Sequence, residues 1–423
     1  MFENLIAQPA STLLEEDISA LRLPPSILFS GNSASGKLTA ALELGRILSC
    51  HEKTALWTCS CTPCQRHKEL IHPDLLIIGP RDCALEIRAA SAAFLRSRSI
   101  ASRFLFIRSV RKLILRFNPA LQDSDDSKFA RAIAILQDLD EKLEELSPSR
   151  PLPEESKVLE KLVLSIVDSA GKLEDDFLPD AIPVSQVRNA SVWARLSPSG
   201  NRKVLIVENA DRMQDSARNA FLKVLEEPPT NTVFILLTSR RGAIMPTILS
   251  RVRTYAFIDR PLVSQHEVIT RVFHDVPQNS DDLHAYFNRF LPVSPEIIAA
   301  SSRNLLESIL LDAMDDGRRP LAGLREVLDA SQIFYSSSER MTAGSIIVSL
   351  NKCKPRVIWN IFLGRIARFM RDALRTNSID ARETEVYSRW TNLIREALDS
   401  VVVYNLSPQA ALEILSQNMK DAL

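Results

Sequence analysis

Gly31-Asn32-Ser33-Ala34-Ser35-Gly36-Lys37 constrains this chain more than any other segment. It has the spacing G-x-x-x-x-G-K. It follows a short apolar run, Ser26-Ile27-Leu28-Phe29-Ser30, and precedes a helical pattern from Leu38 to Leu48. Strand, glycine loop and helix form the unit that curls backbone N–H groups around a phosphate. The helix N-terminus and the Lys ammonium supply positive charge behind them. Such a chain is expected to build a parallel sheet with helices on its faces. Composition fits this: 11 Gly and 6% aromatics argue against an all-β protein with many tight turns. Lys+Arg and Asp+Glu both number 52, which excludes a generally basic nucleic-acid coat but not a local patch. No apolar run approaches the ~18–20 residues that span a bilayer. The opening MFENLIAQPA lacks the basic and apolar regions of a secretory leader, so the expected compartment is the cytoplasm.

Two positions are wrong for a working ATPase. The residue after Lys37 should be Ser or Thr, whose hydroxyl holds Mg²⁺; here it is Leu38. Thr39 comes next, but one residue rotates the side chain by ~100° around a helix. The apolar run Lys203-Val204-Leu205-Ile206-Val207 ends in Glu208-Asn209. A metal-binding Asp and a water-orienting Glu belong there, and Asn cannot act as a base. The pattern predicts a degenerate ATPase: Gly31, Gly36, Lys37, Thr39, Glu208 and Thr238 are the candidate nucleotide-binding residues, and Mg²⁺-dependent hydrolysis is not expected. Glu208 reads alternatively as a solvated carboxylate at a strand end.

Cys50, Cys59, Cys61 and Cys64 fall within one short stretch. Four thiolates satisfy a closed tetrahedral Zn²⁺ site of structural type. The C-x-C step is tight, so His51, His67 or His72 are candidate substitutes. The competing reading is four reduced thiols. Cys83 and Cys353 read as ordinary buried cysteines.

Residues 1–25 read as an amphipathic helix with Leu13, Leu14, Ile18 and Leu21 on its apolar side. Further strands are expected at 74–78, 203–207, 232–238 and near 252–257, with a helix at 215–227 and a helical turn near 245–250. Residues 84–181 read as a helical insertion with charge segregated along it. Basic Arg88, Arg96, Arg98, Arg103, Arg108, Arg111, Lys112 and Arg116 come first, and the stretch 118–180 is mainly acidic. The basic half is expected to pair with the acidic half around Phe94, Phe104, Phe106 and Phe117. Its alternative is contact with DNA phosphates and bases. After Pro261 the pattern is helical throughout.

The stretch 203–255, with the loop at 31–37 and the Cys cluster, resembles the bacterial clamp-loader family of DNA polymerase III. His72-Pro73-Asp74, the segment Ile182 to Arg188, Phe221 to Pro229, Thr247 to Arg251, and Tyr404 to Glu413 carry the resemblance further. These residues look most like the delta-prime type of subunit. The resemblance implies an α/β AAA+ P-loop domain over 1–258, with a zinc module at 50–64 and the insertion at 84–181. It implies a helical lid at 259–317 and an all-α collar at 318–423. It further implies a hetero-pentameric ring with gamma/tau and delta subunits, which loads a sliding clamp on primed DNA in replication. Arg251 of Ser250-Arg251-Val252 would be a finger reaching a neighbour's ATP, with a structural ion pair as its alternative. Thr238 would mark the sensor-strand end, or simply cap the strand. The chain would then be a non-hydrolysing stator within the polymerase holoenzyme. The alternative is an active gamma/tau-like motor.

Overall fold

The computed structural model describes residues 1–52, 54–123, 127–278, 282–331, 342–350, 355–376, 380–402 and 406–423. Cys353 and the Tyr404-Asn405 pair lie outside these. The chain divides into two compact units, Met1–Phe287 and Asn288–Leu423.

The first unit is built on five short strands: β1 (Ser26–Ser30), β2 (Leu75–Ile78), β3 (Lys203–Val207), β4 (Thr232–Thr238) and β5 (Arg253–Ala256). All pairings are parallel, in the order β2-β3-β4-β1-β5. β2, β3 and β4 are buried along their whole length. That is why they read as continuous apolar runs: both faces of a parallel sheet are covered. Side chains alternate between faces. Ile27, Phe29, Leu75, Ile77, Val204 and Ile206 join one core; Leu28, Leu76, Ile78, Leu205 and Val207 join the other. Helices α1 (Ala10–Ser19), α2 (Lys37–Ser49) and α3 (Thr62–Glu69) come before β2, and α2 supplies Leu38, Ala41 and Leu44 to the first core. α4 (Ala84–Ser97), α5 (Ile100–Ile114), α6 (Ser127–Glu145) and α7 (Ser156–Phe177) follow β2. α8 (Val184–Arg195) and α9 (Asp215–Glu226) cover the second face through Val187, Trp193, Phe221 and Val224. The unit ends with α10 (Pro246–Leu249), α11 (Leu262–Val272) and α12, whose bounds are Leu283–Asn288.

The opening segment departs from expectation. α1 spans only Ala10–Ser19; Leu14 is fully buried, whereas Leu13 and Leu21 are exposed. Residues before it are not helical, and Phe2 and Leu5 pack into the first core instead.

α4 to α7 enclose a core of their own, to which Phe94, Phe106 and Phe117 belong; Phe104 is half-buried. Three of their arginines make their hydrogen bonds to backbone carbonyls rather than, as expected, to carboxylates of the acidic stretch. Arg103 donates to the carbonyls of Leu146, Ser147 and Arg150. Arg108 donates to His67 and Lys68, and Arg111 to Glu69, at the C-terminal end of α3. Carbonyls at a helix C-terminus carry partial negative charge, and cations favour that end of a helix.

The second unit is helical among its described residues. It contains α13 (Pro295–Asp315), α14 (Ala322–Ala330), α15 (Ala343–Leu350), α16 (Pro355–Ala373), α17 (Ala381–Val402) and α18 (Pro408–Asp421). Trp359 and Trp390 are buried in it and donate their indole N–H to the Ala397 and Met419 carbonyls.

Candidate nucleotide and metal sites

The glycine loop joins β1 to α2. Gly31 is required because a Cβ there would meet the Phe257 carbonyl oxygen at 2.2 Å. Gly36 takes φ +94°, a left-handed conformation that favours glycine. Lys37 Nζ donates to the Gly31 carbonyl at 2.6 Å and to that of Asn32. Burial, reinforced by nearby Arg81, brings its pKa down to about 8 against the pull of Glu208 and Asp211. The loop is tied to residues beyond β5. Asn32 bonds the Asp259 carboxylate, Ser33 bonds the His284 ring, and Arg260 donates to Ala34. A cavity of about 500 Å³ opens beside it, with Asp259, Asp282, Arg260 and Gln265 in its wall.

Leu38 is buried in the first core. Thr39 is half-buried on α2. Glu208, at the end of β3, is not a solvated carboxylate: it is 7% exposed. One of its oxygens pairs with Arg81 and the other with Arg116. Arg81 also bonds Glu86 at 2.6 Å, and Lys112 takes the other Glu86 oxygen. Burial would raise the Glu86 pKa, but Lys112 and Arg81 hold it down to about 2. Asn209 has φ +50° and donates to the Pro80 carbonyl at 2.7 Å. Thr238 Oγ1 donates to Asp211 at 2.7 Å and accepts from the Arg240 N–H. Arg251 is exposed; it bonds Glu226 and the Thr247 carbonyl, each at 2.8 Å.

The four sulfurs of Cys50, Cys59, Cys61 and Cys64 lie within 4.8 Å of one another, and those of Cys50 and Cys59 are 3.7 Å apart. A tetrahedron with Zn–S bonds of ~2.3 Å has edges of about 3.8 Å, so the cluster fits such an ion. Burial resists ionisation of Cys61, but the backbone N–H groups of His51 and Cys64 bring its pKa down to about 6. No histidine joins the cluster among the described residues. His67 bonds Ser49 at 2.9 Å and stacks on His72. Cys83 is buried elsewhere.

A family model described as "DNA polymerase III, delta subunit" matches residues 6–119 and 151–260, more than half of the chain. The chain belongs to this family. The break in the match, 120–150, is narrower than the expected insertion. The parallel sheet with its flanking helices fits the α/β fold of an AAA+ domain. Among similar proteins, DNA polymerase III subunit delta' of Pseudomonas aeruginosa is 39% identical over 80 residues, 19% of this chain and 24% of that protein. Its Bacillus subtilis namesake is 32% identical over 82 residues, 19% of this chain and 25% of that one. The subunit gamma/tau of Mycobacterium tuberculosis is 34% identical over 70 residues, 16% of this chain and 12% of its own. The matched stretch therefore spans about a quarter of the delta' relatives. A solved chain, a DNA polymerase III gamma subunit-related protein of Thermotoga maritima, aligns with 62% of this chain and 90% of its own at 19% identity and a TM-score of 0.30.

Arg81 and Arg116 were not singled out by sequence reasoning. Arg116 stood in the basic run, but its partner is 92 residues away, a separation no local pattern reveals.

Proposed function

We propose that this chain is a non-hydrolysing, delta-prime-like subunit of a DNA polymerase III clamp loader. One observation carries the reading: both oxygens of Glu208 are engaged by guanidinium groups, where a hydrolytic site needs that carboxylate for metal or water. Leu38, committed to the core, removes the other metal ligand. The role left to such a subunit is assembly, together with Arg251 as a finger toward a neighbouring subunit's ATP. A planar guanidinium suits developing phosphoryl charge. In this reading 1–258 is the AAA+ domain, 259–317 the lid and 318–423 the collar. Gamma/tau and delta subunits are the ring partners, and the complex places a sliding clamp on primed DNA. Zinc occupies the four-cysteine cluster as a structural ion.

The deciding experiment is steady-state ATP hydrolysis by the purified chain with Mg²⁺ and primed DNA, beside Lys37→Ala. The expected result is no turnover above that control. Turnover abolished by Lys37→Ala would make the chain a gamma/tau-like motor and end the stator reading.

A further inference from the structure

Arg46 lies on α2, the helix that the glycine loop opens, and its side chain is completely enclosed. A guanidinium has five N–H donors and no acceptor. Each of the five has an acceptor here. Nε donates to Glu43 at 3.0 Å. Nη1 donates to the Leu56 carbonyl at 3.1 Å and to Cys64 Sγ at 3.6 Å. Nη2 donates to the Ala55 carbonyl at 2.9 Å and to that of Met1 at 3.3 Å. The two loop carbonyls precede Cys59 and Cys61, and the sulfur lies beyond them on α3. One side chain therefore fixes both ends of the segment that carries three of the four thiols. The Trp57 ring, 5.5 Å from the guanidinium carbon, covers the same group.

A tetrathiolate zinc centre is doubly negative, and N–H donors to its sulfurs orient them and spread that charge. Glu43 already balances the guanidinium charge, so Arg46 contributes direction rather than surplus charge. We infer that Arg46 is the positioning residue of the metal centre, holding Cys64 and the 55–64 segment in ligand geometry. This rests on the metal reading above.

The test compares the wild-type chain with Arg46→Lys and Glu43→Gln, each loaded with Zn²⁺ or Co²⁺. Lysine keeps the charge and loses the fork. Two quantities are read: the rate of zinc transfer to a chromogenic chelator, and the thiolate-to-cobalt charge-transfer band. Arg46→Lys is expected to release zinc about 10–100-fold faster. Its band is expected at longer wavelength, because a sulfur lone pair without its N–H donor is raised in energy. Glu43→Gln, which spares every bond from Arg46 to the loop, is expected to keep the wild-type rate and band. Wild-type rate and band in Arg46→Lys, whatever its melting temperature, would reduce Arg46 to a core residue and overturn the inference. If Arg46→Lys does not fold, the double variant Glu43→Gln/Arg46→Gln, which removes both buried charges, is read by the same criteria. A wild-type chain that takes up neither metal overturns the metal reading, and this inference with it.

Discussion

At the residue scale the chain shows how a side chain's identity is legible before its partner is. Leu38 and Asn209 stood out in the sequence because the chemistry of hydrolysis names the residues that belong there. What occupies Glu208 did not, because Arg81 and Arg116 reach it from β2's end and from beyond α5. Removing that carboxylate takes the carboxylate partner from the almost fully buried Arg116 and leaves Arg81 with Glu86 alone. Glu208→Ala should therefore lower unfolding free energy by about 3–5 kcal/mol in urea titrations. A solvated carboxylate would cost almost nothing. Leu38→Thr returns a hydroxyl to the metal position but takes a leucine from the core. It should cost about 2–4 kcal/mol and leave ATP turnover at the Lys37→Ala background, because Glu208 stays paired. Lys37 gives a pH test. Its folded pKa of about 8 lies below its ordinary 10.5. Between these values the unfolded chain binds more protons, so the Lys37 contribution to stability rises with pH. The unfolding free energy of wild type minus that of Lys37→Met should grow from pH 8 to pH 10. A flat difference would mean that Lys37 titrates as if solvated.

At the element scale the strands were readable because burial on both faces leaves continuous apolar runs, and the glycine loop fixed the order of β1 and α2. The helices of 84–181 were readable as helices, but their attachments were not: capping of α3 by Arg108 and Arg111 depends on where two distant elements meet. Those attachments tie the expected insertion into the rest of the unit. Excising 84–181 takes away Arg116, the α3 caps and Glu86 together. It should lower the melting temperature of what remains by about ten degrees, since several kcal/mol at ~2–4 °C each are lost. Replacing only 147–153 with a Gly/Ser linker of equal length should leave the melt within a few degrees of wild type. Equal melts for the two variants would show that the region is decoration. The cysteine cluster was legible from spacing alone; the arginine that grips it was not, because it comes from the preceding helix.

For the whole molecule, the division at 287/288 gives a direct expectation. Residues 1–287, produced alone, should fold and retain about one zinc equivalent by metal analysis, since the Cys cluster and its contacts all lie within that unit. A fragment that unfolds or holds no metal would refute this. The same scale holds the finger proposal. In a ring reconstituted with its ATP-hydrolysing partners, Arg251→Ala should slow hydrolysis at the site it faces by about 10³-fold while leaving assembly intact. Unchanged hydrolysis would return Arg251 to a surface ion pair with Glu226. The paired Glu208 also bears on history. A hydroxyl restored at 38 burdens the core, and an acid freed at 208 leaves the buried Arg116 without its carboxylate partner. Each step back toward a working engine is thus uphill by itself, and only several changes arriving together would be tolerated. On the proposed stator reading the arginines act as a latch: while they hold the carboxylate, no single substitution rebuilds the metal site.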